Sequence, residues 1–533
     1  MAAQRLRICL TASAKHPTPP HLPRLLFGFQ QLSVPSKGRD ARPATLDPQD
    51  WDAFACQAHE ALDLVIEHLR SLREQKVWQP IPDEIKARFE SPLPREGREF
   101  SELLEDFAHS ILPYGAGNVH PLFLGWVQGA GTPIGMVAEM LAAGLNANCG
   151  GRNHIAIDVE RQITLWLAEL FGFPREASGV FVTGTSLANL LAVLVARRDA
   201  LGDEVRREGL HDDRRLTGYT SQEAHGCIAK AFDLAGLGSD SLRMLPVDAN
   251  GGINLKALRE AVARDRAGGF MPAIVVGTAG TVNTGAFDSL TSLADFSEAE
   301  NLWFHIDGAF GALCALSPEL KHLVRGIERA DSIALDFHKW LQVPYDAGFL
   351  LVRDAEAHRQ TFVSSGAYLS RAPRGLAAGD IWPCDLGPDL SRGFRALKTW
   401  FTVQAFGTER LGAMVAETCR IARHLGELVE ASPTFELAAP VRLNIVCFSV
   451  KGEAKESGER NRAIVMDLHE RGLAAPSITL LDGKPVIRAA ILNHRTCLSD
   501  MDFFLSAATE AAARVAKEKA PAAKPDAGQD DID

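Results

Sequence analysis

The chain has 533 residues, 46% hydrophobic and 23% charged, which suits a globular protein of one large or two to three ordinary domains. Its 56 basic residues against 67 acidic leave a net charge of −11, which speaks against a general nucleic-acid binder. No apolar run reaches the roughly 18 residues of a membrane span, and the nine scattered cysteines form no CxxC pair, so reduced thiols in a cytoplasmic setting are expected rather than disulfides or a metal site.

Residues 1–45 carry six prolines and no acid before Asp40, and read as a disordered extension. Residues 46–112 form an N-terminal helical segment. WDAFACQAHEALDLVIEHLRSL and SELLEDFAHSIL place apolar residues at helical spacing, leaving a face to bury, for which a second subunit is a natural partner. From 113 to 385 short β-rich runs alternate with helical stretches: GVFVT, LTGYTS, AIVVGT, WFHID, SIALD and GFLLV. Apolar runs without in/out alternation predict a mostly parallel central sheet with helices on both faces, an α/β fold. Residues 386–516 begin with a long helix, FRALKTWFTVQAFGTERLGAMVAETCRIARHLGELVE. The runs NIVCFSV and VIRAAIL follow, predicting a small α+β C-terminal domain, and 517–533 read as a disordered tail.

Ligands of open α/β sheets sit beyond the carboxyl ends of the strands. After GVFVT come Gly184, Thr185 and Ser186 at a helix start, either a phosphate cradle or an ordinary N-cap. After LTGYTS comes His225, and after AIVVGT the small-residue loop holding Thr281. WFHID ends in Asp307, costly to bury without a cation. SIALD ends in Asp336, followed by His338 and Lys339. Asp307 and Lys339 lie 32 residues apart, the length of one βαβ unit, with PELKHLVRGIERA as the expected crossover helix. An amine, an acid, a flat-faced histidine and a phosphate cradle at strand ends fit pyridoxal 5'-phosphate.

The stretch S-x-x-x-D-x-H-K-W, with HPLFLGW, GTSLANL, HIDGAFG and LSRGFRALKTWF in the same order, resembles the group II pyridoxal-phosphate-dependent amino-acid decarboxylases, over about residues 48–512. The resemblance implies the aspartate-aminotransferase fold (fold type I), a homodimer, and decarboxylation of an L-amino acid through a lysine Schiff base and a quinonoid. It makes Lys339 the Schiff-base lysine, Asp307 the partner of the pyridine nitrogen, and His225 the residue stacked on the ring. Thr185 and Ser186 would hold the phosphate, with Asp336 and His338 close by and Thr281 beside the ring. Tyr368, 29 residues after Lys339 in a Gly/Ser/Ala-rich segment, would protonate the substrate Cα. Its presence favours decarboxylation over an aldehyde synthase or carbon–carbon lyase. His120, Trp126, Gly129 and Arg152 are the candidate substrate-binding residues. The stretches LGWVQGAGT and NCGGRNH are wider and more polar than the wall of an aromatic pocket, so an acidic substrate paired with Arg152 stands beside an aromatic one.

Overall fold

The computed structural model describes residues 45–211, 214–364, 370–379 and 381–519. A seven-stranded sheet consists of β1 (Ser178–Val182), β2 (Leu216–Ser221), β3 (Leu242–Leu245), β4 (Met271–Thr278), β5 (Trp303–Asp307), β6 (Ser332–Asp336) and β7 (Gly348–Val352). Their spatial order is β1-β7-β6-β5-β4-β2-β3. The six runs expected from sequence are all strands, and the fold is α/β with a mostly parallel sheet. β3 (LRML) escapes the pattern because it is short and half polar. β7 runs antiparallel to both β1 and β6. Its connection to β6, residues 337–347, is too short for a crossover helix, so the chain turns back directly.

The expected crossover helix between β5 and β6 does not form. That segment is a series of 3₁₀ turns, Gly311–Leu316, Lys321–Val324 and Ile327–Arg329. Pro318 lacks a backbone donor, and Gly326 sits at φ +98°, so a continuous helix is interrupted at both points. β5 and β6 are nonetheless adjacent and parallel. Register then lines up the strand ends: Thr278 pairs with Asp307, Asp307 with Ala334, and Asp336 with Gly348.

A second, antiparallel sheet has the order β10-β11-β9-β8, from β8 (Phe435–Leu437), β9 (Ile445–Val450), β10 (Ser477–Leu481) and β11 (Lys484–Ala490). The expected long helix spans Arg395–Ala431 but is broken at Gly407, which has φ +67° and ψ 162°. Leu411, Val415, Cys419, Ile445 and Cys447 from this region pack in one cluster with Phe304, Ile306, Leu335 and Trp340 of the large sheet and its following loop. The two segments divided at 386 therefore share a core.

Two helices keep apolar side chains in water. Trp51–Arg70 buries none of its residues and exposes Trp51, Phe54 and Ile66. Pro133–Leu145 buries only Gly135 and Ala138 and exposes Ile134, Met140, Leu141 and Leu145. Among the described residues no helix is long and apolar enough to cross a membrane.

Candidate active site

The carboxyl ends of β1, β4, β5 and β6 open into a cavity of about 350 Å³ lined by Thr185, Ser186, His225, Asp307, Asp336, His338 and Lys339. Residues spread over more than 150 positions are thus brought together as strand ends. The Lys339 Nζ lies 2.8 Å from Asp336 Oδ2. Asp336 Oδ1 accepts the Thr185 N–H at 2.7 Å, which ties the lysine turn to the helix Thr185–Leu201. Asp336 therefore pairs with the amine; an ionised carboxylate has no donor to offer a phosphate.

Close backbone approaches hold this geometry. Gly348 of β7 faces Gly184 so closely that an added Cβ would lie 2.4 Å from the Gly184 Cα. A Cβ on Gly129 would meet the carbonyl oxygens of Lys339 and His338 at 2.3 and 2.4 Å, and the Gly129 N–H donates to the His338 carbonyl at 3.2 Å. Gly129 thus supports the lysine turn from behind and is not among the cavity-lining residues.

His338 accepts the Ala347 N–H at Nδ1 (3.0 Å) and stacks on Tyr345, ring centroids 4.3 Å apart. Burial pushes its pKa down and that of Tyr345 up to about 12. His225 accepts the Cys227 N–H at Nδ1 (3.2 Å), which orients the ring at the cavity and leaves the Nε2 proton free. Asp307 accepts the Ala309 N–H at Oδ1 (3.1 Å) and the Asn189 amide at Oδ2 (3.2 Å). Burial pushes the Asp307 carboxyl up, opposed by Lys339, the Ala309 N–H, His225 and Asn189.

The residues present fit a phosphorylated pyridine aldehyde. Thr185 Oγ1 and Thr278 Oγ1 are buried without a hydrogen-bond partner, and both residues line the cavity. The Thr185 hydroxyl, at the start of a 17-residue helix, is what a bound phosphate would satisfy, while the Thr278 hydroxyl stands at the end of β4 opposite Asp307. Thr278 was not visible as a site residue in sequence because a threonine at the end of an apolar strand carries no charge that burial would make costly.

Other expected residues stand elsewhere. Thr281 does not line the cavity: its hydroxyl accepts the Ala286 N–H at 3.0 Å and contacts Thr284 Oγ1, closing the turn after β4. Thr278 and Gly280 occupy the cavity wall in its place. His120 is buried, accepts the Leu122 N–H at 3.0 Å, and is driven down to about 4 by desolvation. It does not line the cavity. Trp126 lines the cavity at φ +54°. Arg152 does not; its guanidinium lies 4.6 Å from the Trp382 ring centroid. Tyr368 falls outside the described residues. Sequence reading also missed Arg488 of β11. It is buried, and its Nε and Nη2 lack partners, which invites an anion.

Residues 82–451 match the family model of the pyridoxal-dependent decarboxylase conserved domain. The chain belongs to the pyridoxal-dependent decarboxylase family. It is 32% identical over 452 residues to an aromatic-L-amino-acid decarboxylase of Bacillus atrophaeus, covering 83% of this chain and 92% of that protein. A phenylacetaldehyde synthase of Arabidopsis thaliana is 27% identical, covering 84% and 93%. The fold matches the crystal structure of Oryza sativa TDC with PLP and tryptamine at a TM-score of 0.81 and 23% identity, over 88% of this chain and 99% of that one. The protein is a pyridoxal-phosphate-dependent amino-acid decarboxylase of fold type I, and the family model and the more similar relative support that activity over aldehyde synthesis.

Proposed function

We propose that this decarboxylase acts on an aromatic L-amino acid, as a homodimer, and releases the corresponding amine. The observation that carries the substrate class is the cavity wall: Trp126, Val127, Val282, Phe310 and Tyr345 line it, and Arg152 does not. A wall of this kind favours a flat apolar side chain over a carboxylate. The 32% identical aromatic-L-amino-acid decarboxylase supports the same reading.

Pyridoxal phosphate supplies the electron sink for the pair left on Cα when carbon dioxide departs. The protein supplies the rest. Lys339 Nζ would hold the aldehyde carbon, and Asp336, 2.8 Å away, would take and return the amine proton. Thr185 and Ser186 would bind the phosphate through hydroxyls, and Thr278 would offer its hydroxyl to the cofactor from the end of β4. Asp307 would accept the hydrogen bond of the protonated ring nitrogen, and His225 would lie against the ring face. Together these contacts would fix the orientation in which the substrate meets the cofactor, and so the bond that breaks. Tyr368 would return a proton to Cα.

Dimerisation is supported by the apolar residues left in water on the helices Trp51–Arg70 and Pro133–Leu145. A cytoplasmic setting is supported by the absence of a disulfide among the described cysteines. Amine and carbon dioxide release is to be measured across L-tyrosine, L-tryptophan, L-phenylalanine, L-glutamate and L-aspartate. Turnover of the aromatic set alone is expected. Turnover of the acidic pair alone would replace the aromatic reading with one in which Arg152 reaches the cavity from a partner. Tyr368→Phe is expected to lower amine formation by about 100-fold or more. Sedimentation should give twice the chain mass.

A further inference from the structure

Behind Asp307 lies a chain of buried side chains that the reaction does not touch. The Trp303 Nε1–H donates to Ser332 Oγ at 2.8 Å. Ser332 Oγ lies 2.8 Å from His305 Nδ1, and His305 Nε2 lies 2.8 Å from Asn189 Oδ1. Asn189 Nδ2 donates to Asp307 Oδ2 at 3.2 Å. Ser332, His305 and Asn189 are fully buried, so water does not compete for any of these atoms.

The direction of the chain is set from both ends. An indole N–H can only donate, so Ser332 Oγ accepts it and keeps its own proton available for His305 Nδ1. Burial holds His305 neutral, with its pKa driven down to about 3, so Nδ1 as acceptor leaves the single ring proton on Nε2. That proton goes to Asn189 Oδ1, which turns the amide NH₂ toward Asp307. From the other end, a carboxylate demands the same NH₂, and the same tautomer follows.

We infer that Trp303, Ser332, His305 and Asn189 form a hydrogen-bond relay that positions Asp307 and favours its ionised carboxylate toward the cofactor's ring nitrogen. The inference rests on the proposed pairing of Asp307 with that nitrogen. The Asn189 N–H at Oδ2 favours the ionised carboxylate, and the chain behind it keeps that N–H, rather than the amide oxygen, against Asp307. The other groups facing Asp307 act in the same sense: the Ala309 N–H at Oδ1, and the Lys339 and His225 side chains across the cavity. Cys227 is no competing base, since burial lifts its thiol to about 12 and Asn189 donates to its sulfur at 3.3 Å. These four are positioning residues, remote from the reacting atoms.

The test uses the full-length holoenzyme reconstituted with cofactor ¹⁵N-labelled at the ring nitrogen. The pH at which that nitrogen loses its proton is read by NMR, and the cofactor dissociation constant by fluorescence. Ser332→Ala frees the His305 tautomer and with it the Asn189 amide; Trp303→Phe removes the donor that holds the Ser332 hydroxyl. Both are expected to lower the deprotonation pH by about one unit and to weaken cofactor binding about tenfold, while Ser332→Thr, which keeps the hydroxyl, stays near wild type. If either variant fails to fold, judged by far-ultraviolet circular dichroism, the other reads the same quantity. Asp307→Asn separates the two ideas. If it leaves the nitrogen titration unchanged, the pairing of Asp307 with the ring fails. If it shifts the titration while Ser332→Ala and Trp303→Phe match wild type, the relay is overturned.

Discussion

Lys339 and Asp336 are neighbours in sequence and partners in space, three residues apart across one turn with 2.8 Å between amine and carboxylate. Lys339→Ala is expected to abolish cofactor absorbance near the visible edge and reduce turnover to background, with retained turnover counting against the assignment. Thr278 is a subtler case. Its hydroxyl is buried and unpartnered, so Thr278→Val keeps the shape and removes only the donor. An ordinary hydrogen bond contributes about 0.5–1.5 kcal/mol, so cofactor affinity should fall roughly 2- to 10-fold, measurable by fluorescence titration of the cofactor-free protein. Lys339, Asp307 and His225 were legible in sequence because each follows a recognisable strand. Thr278 and Arg488 were not, because an unpartnered buried atom is defined by its surroundings and has no signature of its own. Thr281 misled for the converse reason: a small-residue loop looks the same whether its hydroxyl faces a ligand or, as here, closes its own turn.

The strands act as rulers for the site. Register places Thr278, Asp307 and Asp336 at one end of the sheet, and the helix Thr185–Leu201 starts against the last of them. Antiparallel β7 is the brace, since its first residue, Gly348, touches the Gly184 turn. Gly348→Ala would put a methyl group 2.4 Å from the Gly184 Cα, backbone against backbone with no flexible side chain to yield. Overpacking of this kind costs about 1–3 kcal/mol. The melting temperature of the cofactor-free protein should drop, and cofactor affinity with it, because the turn carrying Thr185 must move. An unchanged affinity would mean that the turn is not braced by β7. The strand runs themselves could be read from the sequence; the antiparallel pairing and the 3₁₀ crossover depended on connection length and on Pro318 and Gly326.

At the scale of the whole molecule, buried histidines link stability to pH. His305 and His358 are fully enclosed and desolvation drives them down to about 3 and about 4. In the unfolded chain each would titrate near 6.5, so below that pH the unfolded state binds more protons. Their contribution is complete above about pH 6.5 and is lost as pH falls toward 4, by roughly 1.4 kcal/mol per pH unit for each histidine. Asp288, raised to about 6 by burial, works in the opposite sense. The difference between wild type and His358→Gln isolates the histidine: denaturant unfolding between pH 7 and 4.5 should show a shallower acid loss in the variant. Equal slopes would mean that His358 is protonated in the folded state.

The sequence by itself determined the alternation of strands and helices, the order of the strand-end residues and, through its motifs, the family. Those features are local in the chain or depend on one-dimensional spacing. The tertiary structure decided which hydroxyls face the cavity, that Asp336 serves the amine, that His120 and Arg152 stand away from the cavity of their own chain, and that Trp303 reaches Asp307 through three other side chains. Each of these depends on which atoms lack a partner once the core has closed, and spacing along a chain does not encode that.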